Sequence, residues 1–292
     1  MLEQPLVSVI IPVKNEGTWI RKTIDSLFQV KTTLPFEVIV VDNDSNDGCC
    51  DFLVSCNNPQ LTLLSEKGNG IARARNAGAR IAKGEILIFC DAHLRFEDGW
   101  MEKLIKPIQD GLAAATNPCI ADLQNPKRMG FGYTWGENLT IKWNPGVPFP
   151  FPSPFLAGGC LAIMKDVFYQ IEGFDQAFRG WGYDDQEISL KLWLFGYRCL
   201  VQPKVKILHY FRKTSPPYPQ LNEDLYFNLL RMAYLHFTQE RINKCKRLIQ
   251  HADICKIEQW ILSSNVLETR VKYLRLRKHD DDWFMQKFNI PF

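Results

Sequence analysis

No stretch of the 292-residue sequence approaches the eighteen or so consecutive apolar residues that a bilayer span needs. The opening MLEQPLVSVIIPVKNEG has no basic start and only a short apolar run with a proline at each end, and it carries Glu3, so it does not read as a signal peptide. Charge of one sign is scarce as well. A net charge of +3 is too mild for a nucleic-acid binder, though it is compatible with an anionic substrate. Nine cysteines are scattered, Cys49 and Cys50 side by side, with no CxxC pair and no zinc-knuckle spacing. An odd, dispersed set in a chain this long points to reduced, mostly buried thiols and a cytoplasmic setting. Repeats and low-complexity tracts are absent too.

What is present is a soluble, globular composition, 46% hydrophobic and 12% aromatic, enough to bury a sizeable core. Residues 7–117 alternate short β-branched runs with helical patterns. VSVIIPV, FEVIVVD, LTLLS, EILIFCD and LAAATN read as five strands. Between them, WIRKTIDSLF places Ile20, Thr23, Ile24 and Leu27 on one helical face. GIARARNAGARIAKG reads as a helix closed by Gly84, and another helix runs from Trp100 to about Gly111. The alternation predicts an α/β fold with a mostly parallel sheet and flanking helices. From 118 to 156 the periodicity stops in a segment rich in Pro, Gly and aromatics, which suggests a functional loop or lid. LAGGCLAIMKDVFYQI resumes as strand then helix, GYDDQEISLKLWLFGY opens a helix, and RCLVQPKVKILHYF reads as a strand ending on His209. Beyond Asn222 helical patterns dominate, with Leu225, Leu229, Met232 and His236 on one face.

Ligands of open α/β sheets bind outside the carboxyl ends of the strands, so the polar residues there carry the chemistry. GEILIFCDAHLRFEDGW is the most informative of these ends. Asp91 and His93 lie two apart on extended chain, so both side chains point the same way and could share one cation. They could equally be the polar mouth of a strand. Asp42, Asp44 and Asp47 end the second strand, where the alternative is capping of a turn and the helix after it.

Taken together, VSVIIPVKNE, VIVVDNDSNDG and GIARARNAGARIAKGEILIFCDAH resemble the nucleotide-sugar half of family 2 glycosyltransferases of the GT-A fold. GYTWGENLTIKW, PFLAGGCLAIMKDVFYQIEGFD, WGYDDQEISLKLW and LHYFRKTSPPY are similar to the catalytic domain of polypeptide N-acetylgalactosaminyltransferases, in the same order, as far as about residue 220. The resemblance implies a Rossmann-like GT-A catalytic domain over 1–220 and leaves 221–292 as a helical extension. It implies Asp91, His93 and His209 as ligands of Mn2+, with Mg2+ the alternative, and a UDP-sugar as donor. Two imidazoles and a carboxylate suit such an ion and leave positions for diphosphate oxygens.

The same resemblance places Pro12, Asn15, Glu16, Asp42 and Gly159 at the nucleotide sugar. Arg212 and Lys213 have the spacing to reach phosphates, as do Arg73 and Arg75 at a helix start, although Arg73 also suits a solvated helix face. Gly182 would let backbone approach the sugar closely, with Trp181 as a platform. Asp184 falls where the resembled family has Glu, and Asp185 where it has Asn. An Asp at the second position is similar instead to inverting galactosyltransferases, in which it is the base that deprotonates the acceptor. Both acids also suit a helix N-terminus, and the stereochemical outcome stays open.

Tyr133, Trp135 and Trp143 in the long loop are candidate acceptor contacts, against the alternative that they pin the loop to the core. The reading is a glycosyltransferase acting on a polypeptide hydroxyl. A glycan or a modified base in DNA is the alternative acceptor, and a non-catalytic sugar-nucleotide binder is a further rival. The basic cluster in RVKYLRLRKHDDDWF suits an ordinary solvated helix face.

Overall fold

The structure, a computed structural model, describes residues 4–67, 70–213 and 220–292. Its N-terminal part alternates strand and helix: β1 (Val7–Val13), α1 (Trp19–Gln29), β2 (Phe36–Asp42), the short α2 (Asp51–Val54), β3 (Leu61–Ser65), α3 (Ile71–Ile81) and β4 (Ile86–Cys90). β5 (Leu94–Arg95), α4 (Trp100–Gln109) and β6 (Ala115–Asp122) follow. The middle of the chain builds β7 (Met129–Gly130), the hairpin of β8 (Tyr133–Trp135) and β9 (Ile141–Trp143), β10 (Phe151–Pro152), β11 (Cys160–Met164) and α5 (Lys165–Gln170). α6 (Asp184–Leu194) and β12 (Cys199–His209) precede five helices: α7 (Asn222–His236), α8 (Gln239–Arg247), α9 (Ile254–Leu262), α10 (Val266–Leu276) and α11 (Asp281–Lys287).

The main sheet runs β10-β12-β6-β11-β4-β1-β2-β3, with β5 on β12 and β7 on β6. Strands β4, β1, β2 and β3 are parallel neighbours; β4, β1 and β2 are buried apolar runs, as strands covered on both faces should be, and β3 is the half-exposed edge. The ends of β1, β2 and β4 therefore do lie side by side. β11 runs antiparallel between β4 and β6, so the middle of the chain, from the end of β6 to the start of β11, lies at the carboxyl end of β4. The arrangement is the mixed α/β sheet of the GT-A fold, with helices following it at the C-terminal side of the chain. No described helix is long and apolar enough to cross a membrane.

Two expected element boundaries move. The fifth strand, expected over 112–117, runs instead from Ala115 to Asp122. Pro118, which can donate nothing to a ladder, lies inside this strand. It is accommodated where the register of β12 jumps between Gln202 and Lys206, a break in the ladder that needs no donor from it. Consequently the supposed loop of 118–156 begins inside the sheet and then folds into β7 to β10. Gly84 does not close α3, which ends at Ile81 with Ala82 as its cap. Its reason is proximity: a Cβ at Gly84 would lie 2.6 Å from the Ser8 nitrogen and 2.7 Å from the Val7 carbonyl carbon. Gly84→Ala should therefore force β1 and the entry to β4 apart and cost about 2–4 kcal/mol, read as a lowered thermal midpoint with unchanged far-UV spectrum.

The helices after residue 221 share the hydrophobic core of the sheet. Trp135 stands 6.2 Å from Phe237, and Phe155 5.6 Å from Phe284, between ring centroids. A buried ion pair from Arg231 to Asp175, at 2.6 Å, ties α7 to the chain just before α6. All nine cysteines are free thiols, seven of them buried.

Candidate active site

Strand β4 delivers Asp91, whose backbone N–H donates to the Gly159 carbonyl at 3.0 Å just before β11. β5 fixes the two histidines. His93 precedes Leu94, and Leu94 is the register partner of His209 at the end of β12. The two imidazoles meet edge to face with centroids 4.6 Å apart, and His209 Nε2 lies 3.2 Å from Asp91 Oδ2. One ligating atom from each of Asp91, His93 and His209 falls within 4.8 Å of the others. Residues 118 apart in sequence thus form one cluster.

The cluster has the chemistry a divalent cation requires. Burial alone would raise the Asp91 carboxyl, but the His209 hydrogen bond and the charges of His93, His209 and Arg75 hold it at about 2, so it is ionised. Burial lowers the pKa of His209 despite Asp91, which keeps the ring neutral and ligating near pH 7. His93 Nδ1 contacts Glu16 Oε2 at 3.1 Å, the carboxylate support that metal-bound histidines commonly have. His209 Nδ1 is buried with no hydrogen-bond partner among the described residues. Each ring therefore retains ligating capacity. Gly159 leaves the approach open, since a Cβ there would stand 3.3 Å from the His209 ring and 3.5 Å from Asp91 Oδ2.

The acid pair lies at the start of α6. Tyr183, in the left-handed region at φ +63°, turns the chain so that Asp184 and Asp185 open the helix towards the cluster. Arg75, almost fully buried, pairs with Asp184, donates to the Gly158 carbonyl at 3.0 Å and lies 3.7 Å from Asp91 Oδ1. Its charge thus offsets Asp184 of the acid pair and Asp91 of the cluster. Asp185 Oδ2 accepts from the Tyr133 hydroxyl at 2.7 Å and from the Gly158 N–H at 3.2 Å. Burial, and then the charge of Asp184, push the Asp185 carboxyl up to about 6, against the lowering pull of Tyr133, Arg75 and Gly158. One carboxylate is spent in an ion pair and its neighbour is held near neutrality.

A cleft of about 850 Å³ contains both clusters. Pro12, Glu16, Arg75, Gly159, Gly182 and Arg212 line it, with Trp181 and Trp143 half-exposed on its rim. Other expected residues lie elsewhere. Arg73 faces away from the cleft, its Nε donating to the Gln176 carbonyl at 2.8 Å, because it sits two residues from Arg75 on α3 and so on another face. Asp42 accepts from the Ser45 N–H at 3.0 Å, the turn-capping role, and Asn43 takes the position at the cleft wall. Asn15 accepts from the Asn46 N–H at 2.8 Å and braces the same turn. Lys213 is exposed and away from the cleft lining.

Trp135 is 1% exposed and packs against Phe155 with ring centroids 4.2 Å apart, so it is core and not an acceptor contact. Tyr133 is also buried, and its hydroxyl goes to Asp185. Sequence reasoning missed Gly158 as a donor to Asp185, although its place in the GG doublet of LAGGCLA was a usable signal. It also missed Glu16 as the residue that supports His93.

Residues 8–171 match the model of the family described as glycosyl transferase family 2. The chain belongs to that family. Residues 144–214 also match a model described as the N-terminal domain of galactosyltransferase. Polypeptide N-acetylgalactosaminyltransferase 11 of Xenopus tropicalis is 29% identical over 261 residues, which are 79% of this chain and 42% of that protein. Polypeptide N-acetylgalactosaminyltransferase 8 of Drosophila melanogaster is 32% identical over 245 residues, 77% of this chain and 41% of that one. The chain thus spans about two fifths of these relatives. Among solved structures, GalNAc-T7 with UDP, GalNAc and Mn2+ superposes with a TM-score of 0.77 over 98% of this chain and 57% of that chain, at 22% identity. At that identity the likeness is one of fold. This glycosyl transferase family 2 member carries its metal-type cluster and its acid pair on the strand and helix ends just described.

Proposed function

We propose that the chain transfers a hexose or N-acetylhexosamine from a UDP-sugar to a hydroxyl of a polypeptide, with Mn2+ held by Asp91, His93 and His209. The observation that carries this reading is the opposition of that cluster to the Asp184–Asp185 pair within one cleft. Relatives named for polypeptide N-acetylgalactosaminyl transfer, and a structural neighbour solved with UDP, GalNAc and Mn2+, support the donor, the ion and the acceptor class. The glycan and DNA alternatives find no counterpart in those relatives. The nine free thiols suit a reducing compartment such as the cytoplasm.

Bound at the cluster, the cation would neutralise charge on the departing nucleotide diphosphate, the main electrostatic demand of sugar transfer. Arg212, ion-paired with Glu16 at the cleft wall, holds the carboxylate that supports His93. Asp185 is the base that takes the acceptor hydroxyl proton. A carboxyl near 6 is ionised at neutral pH yet more basic than an ordinary aspartate, as a general base should be. Tyr133 and Gly158 hold it in place. Removing the Tyr133 hydrogen bond, which lowers the Asp185 pKa, should raise that pKa. Tyr133→Phe should therefore shift the acid limb of the transfer profile to higher pH while leaving donor binding unchanged; an unmoved limb would separate Asp185 from the proton transfer.

The direct test is donor turnover. Purified protein, Mn2+ and a panel of UDP-sugars should show transfer to serine- or threonine-containing peptides, and slow hydrolysis of the donor without them. No Mn2+-dependent consumption of any UDP-sugar would leave only a sugar-nucleotide binder.

A further inference from the structure

A second cavity, of about 530 Å³, lies beside the donor cleft between the Ala177–Arg179 segment and helices α7 and α9. Its size falls in the usual range for ligand sites. The two cavities share a wall made by Leu221 and Asp224.

Its chemistry is cationic and unspent. The Arg179 guanidinium lies between two rings, 4.0 Å from the Phe227 centroid and 4.6 Å from that of Trp260. Its side chain makes no hydrogen bond or ion pair among the described residues. Arg73, displaced from the donor cleft, lines the same cavity and uses only Nε, on the Gln176 carbonyl. Lys256, on Trp260 at 4.7 Å, is paired with Glu223 at 3.2 Å and adds no free charge. Asp224 is the one acid among the lining residues; burial pushes its carboxyl up and the Arg179 charge pulls it back down, so the guanidinium has an acid nearby but no direct ion pair with it among the described residues.

The arrangement is built rather than incidental. Asn228 on α7 donates to the Arg179 carbonyl and accepts from its N–H, both at 2.8 Å, so the backbone carrying the guanidinium is clamped. The same amide donates to the Gly182 carbonyl of the donor cleft at 2.9 Å. One side chain thus fixes the spacing between the cationic cavity and the sugar end of the cleft. An arginine already flattened between rings presents a planar fork at little further entropic cost, and its natural complement is a carboxylate.

We infer that this cavity is a second acceptor subsite, which takes an acidic side chain of the polypeptide a short distance from the hydroxyl that receives the sugar. The inference rests on the polypeptide-transfer reading above and adds the acceptor class to it: serine or threonine with a neighbouring Asp or Glu.

Two peptide sets test it, identical except that one scans Glu and the other Gln through the positions flanking a single threonine. Binding is measured by calorimetry with UDP and Mn2+ present, and transfer by product formation. Wild-type protein should favour the Glu peptide at one or two positions by about tenfold in both, as a charge-assisted pair would give. Arg179→Gln should reduce that ratio towards one without altering donor hydrolysis. Arg73→Gln, at an exposed position, should reduce it in part and serves if Arg179→Gln melts early. Equal treatment of Glu and Gln peptides at every position, or a preference that survives both substitutions, overturns the subsite while transfer to peptide stands. Preferential binding of Glu peptides that is lost in Arg179→Gln, without any transfer, upholds the subsite and refutes polypeptide transfer.

Discussion

His209→Ala is expected to abolish the Mn2+-dependent rise in thermal midpoint that UDP-sugar binding gives the wild-type protein, and with it all transfer. Asp91 and His93 come from one strand end and remain after the substitution, but two ligands cannot hold a divalent ion that competes with its own hydration shell. Disturbing a residue that only supports a ligand already costs 10–100-fold in metal affinity, so loss of a ligand should cost on the order of 100-fold or more. Asp91 would also lose the hydrogen bond that does most to hold its carboxyl at about 2, leaving it less fully ionised in mildly acidic buffer. The fold should persist. His209 ends β12, and the pairing of β12 with β6 upstream of it is intact without the imidazole. Without metal the variant should melt within a few degrees of wild type. With Mn2+ and donor at 100 times their dissociation constants, the wild type gains about 2.7 kcal/mol and the variant almost none. An unchanged Mn2+ titration in His209→Ala would remove the metal assignment.

How much of this was legible beforehand depended on whether the signal was local. The parallel half of the sheet was, because Val7–Val13 and Phe36–Asp42 are strands whose apolar runs declare burial on both faces. The start of the metal cluster was also legible, since Asp91 and His93 share one extended segment. Placing His209 with them needed the match of a distant block, because the β5–β12 pairing that joins the rings is set by tertiary packing of a two-residue strand. The aromatics of the middle segment were the least legible. Tyr133, Trp135 and Trp143 carry similar side chains within eleven residues, yet one supports Asp185, one is core and one stands on the rim. All three lie on one face of the hairpin, Trp143 being the register partner of Tyr133 and Trp135 two residues on, so only their place along it, against the core or at the cleft, separates them; the hairpin itself is hidden by its glycines and by Asn138 in a left-handed conformation. Arg73 and Arg75 show the same limit on a helix: two residues apart, they serve different cavities.

Asp185→Asn is expected to lower transfer by about 10²–10⁴-fold while sparing donor binding, the range general-base catalysis contributes. It should at the same time leave the protein as stable as wild type, or more so. The sign follows from linkage. Burial and the charge of Asp184 hold the Asp185 carboxyl at about 6 in the fold, against its ordinary 3.8, so between those values the folded state binds more protons than the unfolded one. Its stabilising contribution is complete below about pH 4 and is lost as pH rises through 6. Above that, an ionised Asp185 stands buried beside Asp184 at a cost of about 3 kcal/mol, which an uncharged amide avoids. The amide oxygen can still accept from Tyr133 and Gly158, so the local geometry holds. Thermal midpoints of the two proteins should coincide near pH 4 and diverge in favour of the variant by pH 7.5. Wild-type transfer should rise through an apparent pKa near 6 over the same interval. A group that is structural would lose stability on substitution and leave the rate profile alone; a base held near neutrality does the reverse, because the burial that makes Asp185 costly to ionise also makes it basic enough to take a proton from a hydroxyl. An active Asp185→Asn enzyme, or one that melts well below wild type at pH 7.5, would assign the acid pair to the helix start alone.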